Sequence, residues 1–225
     1  MGRRSEMAVA ADLTLDEMRR ALAPRLADAA AFDGWSAEAV AYAAKALGVP
    51  VATARIAFPG GAMDMIAAWI ESIDAAMAAE LTCERIGNLP VRERIRALVQ
   101  FRLDALKGRE EALRRALAIM AMPQNMGRAA RLGWASADAM WRLAGDVAAD
   151  YNHYTKRATL GSIYAATLLV FANDDSEGKA ATAAFLDRRI AGVMRFEKAK
   201  ARLLRPRDDS PSLTRLLGRM RYPAR

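Results

Sequence analysis

Residues 158–171 read Ala-Thr-Leu-Gly-Ser-Ile-Tyr-Ala-Ala-Thr-Leu-Leu-Val-Phe and are apolar nearly all round at helical spacing. A helix of that kind has to be covered on more than one side. No stretch of the chain reaches the roughly 18 uninterrupted apolar residues of a membrane span, so the cover has to be protein. The rest of the sequence offers helices to supply it. Apolar residues make up 53% and aromatic residues 7%, which suits packed Ala/Leu/Met helices better than an aromatic-rich sandwich. With 225 residues the chain can bury one sizeable core. The expectation is an all-α domain of about nine helices.

Start and stop signals place those helices. Thr14 and Glu17 form a capping box, and Leu15, Met18, Leu22 and Leu26 follow at helical spacing to about Ala30. Phe32 to Trp35 is a turn, and Ser36 caps a second helix that Gly48 stops. A short third helix runs from Val51 to Ala57 before Pro59-Gly60-Gly61 breaks it. Further helices are expected over 62–81, 91–107 and 109–121, then one to the break at Gly145-Asp146, another over 148–171 and a last one to about Leu204. The arginines of the 91–107 helix read as a solvated face, with acidic residues close by. Cys83, the single cysteine, reads as a small apolar filler. One cysteine excludes an internal disulfide framework and a cysteine-based zinc site.

Charge is unevenly placed. Residues 1–60 carry seven Lys/Arg against seven Asp/Glu, whereas residues 195–225 carry ten against three within a total of +8. In the last segment Leu213, Leu216, Leu217 and Met220 form one apolar stripe, with Arg215 and Arg219 beside it. A basic amphipathic segment behind a Pro-rich linker points to an anionic membrane surface. Three regions result: 1–60, helix-turn-helix-like; 61–204, a helical body for lipid binding and dimerisation; and 205–225, a linker and amphipathic helix. The long terminal helices suit a four-helix interface across a two-fold axis, hence a homodimer.

The string from Ala39 to Pro59 resembles the DNA-binding end of TetR-type regulators. A DNA reader needs cations for phosphates and polar side chains for base edges. Here the short third helix offers only Arg55, so the region reads as a relic that binds no nucleic acid. The alternative is a TetR-type regulator with a lipid effector, which predicts salt-sensitive binding to a palindromic duplex.

The polar run Asp150-Tyr151-Asn152-His153-Tyr154-Thr155-Lys156-Arg157 is the most unusual stretch. His153 has no Ser, Cys or acid placed for a triad, one histidine cannot build a His-rich metal site, and Glu-x-x-His pairs for a di-iron centre are absent. Catalytic residues, metal ligands and cofactors are therefore not expected. A small enzyme would instead lose turnover on His153→Ala. Asp150 and His153 lie three apart on one helical face and can hydrogen-bond. Methionines at 120, 122 and 126 suit either an irregular core or a pocket for a flexible apolar ligand.

With Ala144-Gly145-Asp146, Phe32-Asp33-Gly34-Trp35, Arg114 to Ala118, Asp138 to Trp141 and Phe185 to Ile190, that run resembles the ubiquinone-biosynthesis accessory family, the ninth coenzyme Q biosynthesis factor. The resemblance spans about residues 14–200. Many relatives have Trp where this chain has His153. The resemblance implies a TetR-like dimer without DNA regulation that holds an isoprenoid quinone intermediate or phospholipid and supports the demethoxyubiquinone hydroxylase. It also implies a cytoplasmic protein, peripheral at the inner membrane. Met120, Met122, Met126, Trp141, Leu160 and Tyr164 are the expected lipid contacts. Asp150, His153, Tyr154 and Lys156 are the expected partner contacts. Leu213, Arg215, Leu216, Leu217, Arg219 and Met220 are the expected membrane contacts.

Overall fold

The computed structural model describes residues 14–146 and 151–203, and among these all regular structure is helical. Ten α-helices follow in order: α1 Leu15–Asp33, α2 Ala37–Leu47, α3 Val51–Ile56, α4 Ala62–Glu80, α5 Cys83–Ile86, α6 Val91–Asp104, α7 Glu110–Met120, α8 Met126–Leu143, α9 Tyr151–Ala172 and α10 Ala180–Leu203. Short 3-10 turns precede α8 and α10. The expected starts hold where their chemistry is explicit. Thr14 accepts from the Glu17 amide at 3.3 Å and Glu17 accepts from the Thr14 amide at 2.9 Å. Ser36 accepts from the Ala39 amide, and Gly48 ends α2 in the left-handed region (φ 67°, ψ 21°), open to glycine without a Cβ clash.

α1 lies at the centre of the N-terminal half. Its Leu22 and Leu26 are fully buried, and it packs on α2, α4 and α7. Trp35, just after it, donates its indole N–H to the Ala112 carbonyl of α7 at 3.1 Å and lies 5.3 Å from Trp69 of α4. The helix-turn-helix-like region is therefore built into the same compact unit as the following helices. That unit extends to Asp187, and a second begins at Arg188, of which the helix to Leu203 is described. α8 and α9 pack on one another, α8 also on α4 and α6, and α9 also on α6 and α7.

Two details differ from expectation. Cys83 is exposed, on the one-turn helix α5, because the chain breaks after Glu80 and turns the side chain outward; its thiol faces the Leu143 carbonyl at 3.5 Å. Arg102 is 2% exposed rather than solvated. It falls in phase with Ile95, Leu98 and Leu106, all buried, so its stem continues their stripe.

The start of α10 is tied by Asp174, which accepts from the amides and hydroxyls of both Ser176 and Thr182. The Ser176 hydroxyl, then the Thr182 hydroxyl, hold its carboxyl well below the usual carboxylate range against the opposing effect of burial, and the two amides add to this. A carboxyl depressed on folding stabilises above its unfolded pKa of about 3.9, and that contribution is lost as pH falls through the folded value. Asp174→Ala is expected to destabilise by about 1–2 kcal/mol at pH 7. In thermal melts its deficit against wild type should shrink as the pH is lowered through the acid range.

Candidate functional site

Between α4, α6, α7, α8 and α9 lies a cavity of ≈ 240 Å³. By proportion to a 150 Å³ cavity that binds benzene, that is room for about ten carbon atoms. Its wall is made by Ile66, Trp69, Ile70 and Ile73 of α4, Leu113, Leu117 and Met120 of α7, Leu132 and Gly133 of α8, and Gly161, Tyr164 and Leu168 of α9. Helix periodicity brings them together: on α4, α7 and α9 these residues recur three or four apart, and on α8 they do so with Ala129 and Ser136, so each set shares a face. Gly133 and Gly161 add no side chain of their own to the α8–α9 side of the cavity. A Cβ on Gly133 would meet nothing within 4 Å.

A polar cluster interrupts this wall. Arg102 lines the cavity and bonds Asp74 of α4 through Nη1 and the Ser136 hydroxyl through Nη2 at 3.2 Å. Ser136 in turn donates to Asp74 at 2.9 Å. The Tyr164 ring lies over the guanidinium, 4.8 Å from it. The signal for this cluster was periodicity: Asp74 and Ser136, like Arg102, fall in phase with buried neighbours such as Met77 and Met140.

Of the expected lipid contacts, Met120 and Tyr164 line this cavity. Leu160 is buried but is not among the lining residues. Met122 and Met126 are 43% and 59% exposed, because they flank the 3-10 turn between α7 and α8 and face outward. Trp141 donates its indole N–H to the Lys156 carbonyl at 3.0 Å and packs under the Lys156 ammonium.

A second feature joins α8 to α9 on the surface. Trp134 lies 6.5 Å from His153 and 6.1 Å from Tyr154, and the His153 and Tyr154 rings meet edge-on at 5.1 Å. Tyr154 is 62% exposed and Trp134 38%. Trp134 was not among the expected partner contacts, although it shares α8 with Trp141 at a spacing of seven residues, on the same side. Lys156 is turned toward Asp146, at 2.6 Å. Arg157, with a side chain 2% exposed, is held by both Asp138 and Asp146. Gly145 makes the turn before Asp146 with φ +85°, and a Cβ there would crowd the Arg94 guanidinium, which donates to the Ala144 carbonyl at 2.9 Å. Asp150 and the six expected membrane contacts at 213–220 lie outside the described residues.

Among the described residues there is no group of three or more His, Cys, Asp or Glu that could hold a metal ion. No helix of the described residues is long and apolar enough to cross a membrane.

The fold is that of TetR-type regulators. A TetR transcriptional regulator from Nitrosomonas europaea superposes with a TM-score of 0.62 at 24% identity, covering 79% of this chain and 98% of that one. The COQ9 family model matches residues 126–197, which contain α8, α9 and most of α10. The mitochondrial ubiquinone biosynthesis protein COQ9 of Rattus norvegicus is 35% identical over 168 residues, 72% of this chain and 54% of the relative. That of Homo sapiens is 33% identical, over 72% and 52%. The chain thus spans about half the length of the curated relatives it matches. Through these matches, which take in the Trp134–His153–Tyr154 ridge and the α8–α9 wall of the cavity, the chain belongs to the COQ9 family.

Proposed function

We propose that this protein is a non-enzymatic, lipid-binding accessory protein of ubiquinone biosynthesis. It takes the end of an isoprenoid quinone intermediate or a phospholipid into the apolar cavity and presents the precursor to the demethoxyubiquinone hydroxylase at the membrane. The observation that carries this reading is the cavity itself, apolar on nearly every side and set in the α4–α9 body of a chain whose relatives are named for ubiquinone biosynthesis. Lipid pockets of helical folds are of this kind, apolar with few polar groups. The exposed Trp134–His153–Tyr154 ridge supports a protein partner, since exposed aromatics are enriched at interface hot spots. A homodimer, peripheral at the cytoplasmic side of the inner membrane through residues 205–225, completes the proposal.

Native mass spectrometry of the purified protein tests it. Bound quinone or phospholipid is the expected result, and protein that is empty in every preparation would overturn it. Salt-sensitive binding to a palindromic duplex would favour a regulator instead. For the partner surface, Tyr154→Ala is expected to weaken co-purification of the hydroxylase about tenfold or more, with Tm unchanged, because the side chain is exposed and rests on Trp134. Wild-type recovery of the hydroxylase would remove the ridge from the interface.

A further inference from the structure

We infer that the turn between α7 and α8 is a second point of contact with the bilayer, an uncharged apolar tip that enters an anionic leaflet beside the cavity. The inference rests on the carrier reading above. From Ala121 to Gly127 the chain carries no charge, and Ala121, Met122, Pro123, Gln124, Met126 and Gly127 are all exposed. The turn is held in shape from within. Asn125 donates from Nδ2 to the Ile119 carbonyl at 2.8 Å and from its amide to the Met122 carbonyl at 2.8 Å, and Pro123 opens the 3-10 turn. Met122 and Met126 are therefore presented outward by a fixed backbone, and methionine adapts readily to an irregular apolar surround.

Charge around the tip fits the same occupant. Between Glu111 and Asp138 the chain has four arginines and no acidic residue. Arg114 and Arg115 share Glu111, and Arg128 pairs with Asp64, which leaves the balance positive. Arg131, just over one turn past Met126, is exposed. Apolar side chains with cations set back from them are what elements of the headgroup region carry. A protein interface would centre on Trp, Tyr or Arg, and the tip has none of them. Position gives the contact its use. Met120, two residues before Met122, and Ala129, three after Met126, line the cavity and are half-buried. With the tip in the leaflet, that side of the cavity stands next to the bilayer, and an apolar chain enters it without crossing water.

The test uses full-length protein with Cys83→Ser and Gln124→Cys, labelled at the tip with an NBD fluorophore; Cys83 is exposed, so its removal leaves the core intact. Vesicles of mixed phosphatidylcholine and phosphatidylglycerol are expected to brighten the label about twofold or more, and lipids spin-labelled in the acyl chain should quench it. The same label on Ala46→Cys, exposed on α2, is expected to stay unchanged. Met122→Gln with Met126→Gln should lower vesicle affinity about tenfold or more at unchanged Tm, since both side chains are exposed. Met122→Leu with Met126→Leu should keep wild-type affinity. A label that stays dark on vesicles that sediment the protein, a label that responds only to the hydroxylase, or wild-type affinity in the Gln pair would overturn the inference. Each of these leaves the carrier reading standing, with its contact through residues 205–225. Failure of the wild-type protein to sediment with vesicles would overturn both.

Discussion

Gly133→Leu is expected to abolish lipid co-purification, lowering bound ligand at least tenfold, while Tm stays level or rises. The position lies inside α8 and lines the cavity, and a Cβ there has open space around it. The Cβ therefore displaces no neighbour, and the rest of the side chain is expected to extend into the cavity that the position lines. By the benzene proportion, its four carbons occupy about 100 Å³, a large share of the room available. Removing a glycine from a helix interior also stabilises by about 0.5–1 kcal/mol. Gly127→Leu, on the same helix but exposed and with an equally open Cβ, is the matched control for helix propensity. Quantitative lipid extraction from the two variants is the measurement. Equal lipid content in both would mean that the ligand binds elsewhere.

Arg157→Met should be strongly destabilising, by about 2–3 kcal/mol in urea denaturation, below the full cost of an unpaired buried charge because each acid keeps a second cation. The side chain is 2% exposed, and the two carboxylates that hold it, Asp138 and Asp146, are 19% and 6% exposed. Taking away the cation leaves Asp138 paired with Arg142 and Asp146 paired with Lys156, neither of which is as buried as Arg157. Adding Asp146→Asn to the variant is expected to restore part of the loss, because it removes the more deeply buried of the two. Arg142 provides the contrast: it also pairs with Asp138 but is 73% exposed, and Arg142→Met should cost under about 1 kcal/mol. Similar losses for Arg157 and Arg142 would show that burial does not set the strength of this cluster.

Much of the helical frame could be read from local chemistry. Thr14, Ser36 and Gly48 mark their helix ends through backbone groups a few residues away, and such contacts survive whatever the tertiary structure does. The polar run 150–157 stands out in the sequence, but its last two residues are tied to acids elsewhere in the fold, Arg157 deeply buried and Lys156 half-exposed. Lys156 and Arg157 serve Asp146 and Asp138, a long-range arrangement that a run of charges does not reveal. Arg102 was hidden for a related reason. It sits in a helix where arginines alternate with apolar residues, and only its phase with Leu98 and Leu106 separates it from the solvated ones. The methionines show the opposite failure: Met120 faces the cavity while Met122 and Met126, two and six residues on, face solvent, because the 3-10 turn between them resets the helical phase. Side-chain type carried no information about that change of direction.

The modest size of the cavity bears on how such a carrier would operate. Each tail carbon left outside it and exposed to water costs about 0.8 kcal/mol, which disfavours passage of a long-tailed lipid through the aqueous phase. Under the proposed function the lipid stays rooted in the bilayer, and the protein lifts one end of it clear, handing over a molecule that never leaves the membrane.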